Sequence, residues 1–140
     1  MHPDELERYS FLWSEARLLT AAVALFLKGV PPLFLLSSAP IALIALKIAW
    51  IISGAAAGYL LYRWVNSDLK VFGSDDIKDK ITFLICVVTG LHLGVMGLTG
   101  INIGFQITKN PAVLFVVAII YVVTALYLFW RWSTLGRKLF

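Results

Sequence analysis

Four polar side chains lie toward the end of a mostly apolar stretch at 80–106: His92, Thr99, Asn102 and Gln106. The first, second and fourth repeat every seven residues, so on one helix they share a face, with Asn102 at its margin. Hydrocarbon cannot hydrate such groups, and they are expected to face protein or water. Either each one hydrogen-bonds a neighbouring helix, or the stripe lines a water-filled path in which His92 could titrate near neutral pH.

Glycines line the opposite face of the same stretch and recur in an earlier one. Small residues let helix backbones approach closely, which favours association of helices in lipid. The glycines predicted to pack helices together, within one chain or between subunits, are Gly90, Gly94, Gly97, Gly104, Gly54 and Gly58.

Two lysines, Lys28 and Lys47, are the deepest cations of the predicted membrane segments. They either extend their long side chains to the headgroups or form a positive vestibule beside the Gly-Val-Pro-Pro break at 29–32. Glu15 and Arg17 fall near the inner end of the first apolar segment and are expected to be interfacial charges.

Asp75-Asp76-Ile77-Lys78-Asp79 resembles the DDxxD pattern of prenyl-transfer enzymes, in which carboxylates share Mg²⁺ on one helix face. No second acidic motif accompanies it, and helix capping explains these acids more simply. A magnesium-dependent lipid-modifying enzyme is therefore only a remote alternative.

Other catalytic or cofactor-binding arrangements are not found. Cys86 is the single cysteine, and a helical wheel places it far around the helix from His92, so one helix does not aim both at a common metal. No phosphate loop or serine-elbow motif occurs. The chain is expected to be a non-enzyme without cofactor or metal.

Composition points to an integral membrane protein. The chain has 140 residues, of which 60% are hydrophobic and 14% charged. About 25% charged residues is usual for soluble domains. The net charge of +4 comes without a basic run, which argues against nucleic-acid binding.

The sequence predicts one all-α domain over 1–140 that crosses the membrane four times. A bilayer core of about 30 Å needs about 20 helical residues. The predicted spans are about 10–29, 41–62, 80–106 and 111–131. Pro31-Pro32 disfavours a continuous helix, so the first span is either broken there or followed by an irregular, re-entrant segment.

Positive charges predict the orientation. Four spans put both termini and the 63–79 connection on one side, which the positive-inside rule makes cytoplasmic. The Lys and Arg residues on that side are Arg8, Arg17, Arg63, Lys70, Lys78, Lys80, Arg131, Arg137 and Lys138.

From these features we expect a channel or pore-forming subunit that moves ions or small solutes. Because four helices enclose little space, several copies are expected to surround the path. The alternative is a non-catalytic accessory subunit of a larger membrane complex. The expected partners are therefore the lipid bilayer and either further copies of the chain or another membrane subunit.

Overall fold

A computed structural model describes residues 2–140, and the regular structure within them is helical, which confirms the predicted all-α class. The helices are α1 (Pro3–Phe26), α2 (Ala39–Val65), α3 (Ile77–Thr99), α4 (Ile103–Ile107) and α5 (Pro111–Thr134). One 3-10 turn, Pro32–Leu35, lies between α1 and α2.

Local chemistry explains several helix ends. The Asp76 carboxylate caps α3 by accepting from the Lys78 N–H at 2.9 Å. The Asn110 side chain caps α5 in the same way, directly before Pro111. Gly100, with φ +75°, ends α3 in the left-handed conformation that favours glycine.

Three helices, α2, α3 and α5, are long and apolar enough to cross a membrane. Large apolar side chains remain exposed along them, as at Ile44 on α2 and Leu126 on α5. Such a surface suits acyl chains rather than water. The three helices suggest a multi-pass membrane protein.

Helices α2 and α3 form an antiparallel pair with the most extensive contact in the fold, and α1 packs against α5 and α2. Gly54 and Gly94 make this pair possible, because their backbones touch where the helices cross. A close approach of this kind needs residues without a side chain.

Ion pairs and the C-terminal residues close one end of the bundle. Arg63 donates to the Glu7 carboxylate from Nε at 2.9 Å. The Arg131 guanidinium donates two hydrogen bonds to the Asp79 carboxylate, from Nε at 2.9 Å and from Nη2 at 2.6 Å. Leu139 is buried, and its carbonyl accepts from the Phe72 N–H at 2.6 Å. Charged groups at this end are thus bonded to one another, beside a core that includes Phe11, Phe83 and Trp132.

The third long helix ends earlier than the predicted span 80–106. It stops at Thr99, and Asn102 then begins the separate short helix α4. The heptad pattern did not reveal this break, because glycine is common in membrane helices and Gly100 alone does not predict an end. The 80–106 stretch is therefore two helices joined by a turn.

Candidate functional site

A cavity of about 680 Å³ lies among α1, α2, α3 and α5, beneath the segments that contain Pro31 and α4. Apolar side chains dominate its wall, including Leu25, Leu46 and Val117. The lining side chains that carry a polar group are Trp13, Arg17, Thr20, Trp50, Ser53, His92, Asn102, Thr108 and Tyr121. Small-molecule sites usually have this composition, a mainly apolar wall with a few polar groups.

Arg17 is the charged residue of this wall within residues 2–140. Arg17 is 7% exposed. It lies nine residues before the end of α1, about 14 Å along the helix. Nη1 donates to the Thr89 hydroxyl at 3.0 Å, and Nη2 donates to the Cys86 carbonyl at 2.7 Å. Its Nε–H has no acceptor within the described part of the chain.

Glu15 and Arg17, which the sequence predicts to be interfacial charges, are both buried within the bundle. Sequence reasoning treated them as headgroup charges because they stand at the start of the first apolar run. A helical signal indicates the burial of Arg17: Glu7, Ser10, Ser14 and Arg17 recur at spacings of three and four, which puts them on one face of α1.

His92 and Asn102 both line the cavity, as the polar-stripe hypothesis requires of residues that meet water or protein. The Nε2 atom of His92 is buried and has no hydrogen-bond partner among residues 2–140. A Cβ on Gly104 would lie 3.9 Å from the imidazole Cε1, so α4 lies beside the ring. The Asn102 carboxamide also caps α4, accepting from the Phe105 N–H at 3.2 Å.

Thr99 and Gln106 do not join His92 in one stripe. Thr99 is exposed at the end of α3, where its hydroxyl donates to the Val95 carbonyl at 2.8 Å. Gln106 is exposed on α4, which the turn at Gly100 separates from α3. The expectation of a continuous polar line along one helix is therefore wrong.

Lys28 and Lys47 are both exposed, and neither lines the cavity. The vestibule hypothesis placed two ammonium groups beside the 29–32 segment. In the structure Gly29 and Pro31 do border the cavity, but the cation inside it is Arg17. That their long side chains extend to the headgroups stays a prediction.

The glycines predicted to pack helices together lie in different environments. Gly54, Gly94 and Gly97 lie where α2 meets α3, and a Cβ on Gly97 would be 3.0 Å from the Ile51 amide nitrogen. Gly90 faces both Ala57 and the Arg17 guanidinium, whose Cζ is 3.2 Å from the position of a Cβ. This packing is within one chain.

Gly104 and Gly58 lie outside that contact. Gly104 belongs to α4, and no atom lies within 4 Å of the position of a Cβ on Gly58. Neither glycine contributes to the α2–α3 contact, in the case of Gly104 because α3 ends at Thr99.

The aspartates of the DDxxD pattern each have a separate role. Asp75 pairs with Lys80, and this hydrogen bond and charge hold the pKa of its carboxyl below the usual value. Asp76 caps α3. Asp79 is fully buried and bonded by Arg131 and by the Tyr127 hydroxyl at 2.8 Å. The Asp79 oxygens are thus engaged by donors rather than turned toward a shared ion.

Comparisons with protein families, with curated proteins and with solved structures find no match. The cavity remains the feature that combines volume, a buried cation and polar groups without partners. Such an arrangement can hold a solute and orient its polar end.

Proposed function

We propose that the protein is a four-span membrane channel or pore-forming subunit that moves ions or small solutes through the cavity of its helix bundle. The observation that carries the proposal is the cavity of about 680 Å³ that borders Arg17 and His92. Polar and ionisable groups inside a membrane bundle commonly mark a substrate path.

The fourth span in this proposal is α1, although its charges make it less apolar than α2, α3 and α5. In its second half two charged residues, Glu15 and Arg17, are buried, while Leu19, Val23 and Phe26 are exposed. Its 24 residues extend about 36 Å, enough for a bilayer core. Both features support a helix that lies in lipid with its charges against protein.

The orientation follows the positive-inside rule, with both termini and the 63–79 connection in the cytoplasm. The end of the bundle closed by Glu7, Arg63, Asp79 and Arg131 then faces inward. The cavity approaches the outer side, where Pro31 and Phe105 border it.

The cavity is lined by residues of one chain, so in this proposal the solute path runs within each copy rather than along an axis between copies. Association with further copies or with another membrane subunit is a separate part of the proposal. Chemical cross-linking in native-like lipid, followed by mass determination, tests it.

The test of function is solute flux into liposomes that contain the purified protein, followed by stopped-flow light scattering with potassium chloride, potassium acetate and glycerol. We expect His92→Leu to change the rate for the permeant solute, because His92 lines the cavity. Thr134→Val serves as the matched control at an exposed end of α5.

Thr99→Val separates the two possible paths. If solute passes through the bundle, the Thr99→Val variant should show the wild-type flux, because Thr99 lies outside the cavity. Equal effects of Thr99→Val and His92→Leu would instead favour a path between copies. If none of the three solutes enters faster than into protein-free liposomes, the protein does not transport these classes of solute and the proposal is contradicted.

A further inference from the structure

The Arg17 guanidinium has neutral partners inside a membrane bundle. Its acceptors are the Thr89 hydroxyl, the Cys86 carbonyl and the Cys86 sulfur at 3.6 Å. Among residues 2–140 no carboxylate lies within ion-pair distance of it. Glu15 is buried two residues away but does not line the cavity.

A cation in this position is poorly compensated. Arg17 is 93% withdrawn from solvent, given its 7% exposure, and no acceptor for its Nε–H is found among the residues that the structure describes. Burial of a charge without a carboxylate bonded to it is costly in a low-dielectric interior. The Arg131 guanidinium shows the contrast, because there the Asp79 carboxylate supplies two acceptors.

The cavity wall beside Arg17 indicates what kind of ligand could compensate the charge of its guanidinium. No acidic side chain lines the cavity within the described residues, so nothing repels an anion there. Leu25, Leu46, Val113 and Val117 make most of the remaining wall apolar. A volume of about 680 Å³ falls within the range that holds drug-sized molecules. An inorganic anion alone would leave this apolar volume unfilled.

We propose that the cavity binds an organic carboxylate with an unbranched apolar chain, whose carboxylate accepts hydrogen bonds from Arg17. The inference rests on the proposed function, since it names the class of solute that the same cavity takes. Guanidinium and carboxylate match in charge and in planar hydrogen-bonding geometry. The chain of the ligand lies along the apolar wall toward Pro31.

Two tryptophans in the cavity wall, Trp13 and Trp50, allow a direct test. The protein is placed in nanodiscs of uncharged phosphatidylcholine and titrated with 10-bromodecanoate, whose bromine quenches nearby indole fluorescence. We expect a saturable quench that 10-bromodecanol and 10-bromodecylammonium do not reproduce at the same membrane concentration. Equal quenching by all three probes would overturn the proposal, because charge would then play no part.

Variants locate the binding. Arg17→Gln is expected to weaken the saturable quench at least tenfold, and Arg8→Gln, at an exposed position on the same helix, to leave it unchanged. The double variant Trp13→Phe/Trp50→Phe loses the signal, whereas Trp130→Phe, which does not border the cavity, keeps it. An equal loss in Arg8→Gln, or a signal that persists without Trp13 and Trp50, would overturn the proposal.

The probe series on the unaltered protein keeps the test valid even where Arg17→Gln fails to fold. Binding is also measured apart from transport. A saturable, charge-dependent quench without any flux upholds the carboxylate site and contradicts the channel. Flux that proceeds at the same rate in Arg17→Gln, with no saturable quench in the unaltered protein, retains the channel and overturns the carboxylate site.

Discussion

Gly54 and Gly94 touch backbone to backbone: a Cβ on either residue would lie 2.6 Å from the Cα of the other. No side chain fits there without separating α2 from α3. We expect Gly94→Ala to lower the free energy of unfolding by about 1–3 kcal/mol, the usual range for overpacking. Thermal or SDS-induced unfolding in bicelles measures the change.

Gly58→Ala is the matched control on α2, because no atom lies within 4 Å of its Cβ position. Alanine favours helix over glycine by about 1 kcal/mol, so stability should stay constant or rise slightly. Equal destabilisation by the two variants would contradict the assigned contact.

The Asp79–Arg131 pair predicts a second stability effect. Asp79→Ala leaves the Arg131 guanidinium without its carboxylate and is expected to reduce the free energy of unfolding by about 3 kcal/mol. Asp75→Ala removes an exposed pair with Lys80 and should have no measurable effect. A substantial loss in Asp75→Ala but not in Asp79→Ala would contradict the roles assigned to the two carboxylates.

Topology is testable with single cysteines in a Cys86→Ala background. An impermeant maleimide applied to intact cells should label Lys28→Cys and Lys109→Cys. It should reach Asp4→Cys and Lys70→Cys only after permeabilisation. Labelling of Asp4→Cys and Lys28→Cys from the same side would mean that α1 does not cross the membrane.

The native thiol offers a probe of the folded bundle. Cys86 is 1% exposed and its sulfur contacts the Arg17 guanidinium. We expect a lipid-permeant maleimide to leave it unmodified in bicelles and to react once SDS unfolds the helices. Rapid labelling under native conditions, at the rate of an added exposed cysteine such as Lys70→Cys, would mean that this part of the bundle opens.

Hydropathy and length predicted the helical class and the three strongly apolar helices, because burial in lipid demands long uncharged runs. The same approach missed the end of α3. One left-handed residue at Gly100 ends a helix whose composition continues unchanged beyond it.

The site was partly predictable. His92 and Asn102 were identified as polar groups in an apolar setting, and both border the cavity. Arg17 was assigned to the headgroups because hydropathy averages over all faces of a helix. Only the three- and four-residue spacing of Glu7, Ser10, Ser14 and Arg17 distinguishes the inward face of α1.

The buried charges of α1 bear on the order in which the protein is assembled. Alone in a lipid bilayer, this helix would expose Glu15 and Arg17 to hydrocarbon, at a cost of several kcal/mol. Arg17 donates hydrogen bonds to Thr89 and to the Cys86 carbonyl. Both partners belong to α3, which is synthesised after α1. In the proposed four-span arrangement, we therefore expect α1 to enter the membrane fully only after α3 has been synthesised, held until then at the interface or by the insertion machinery.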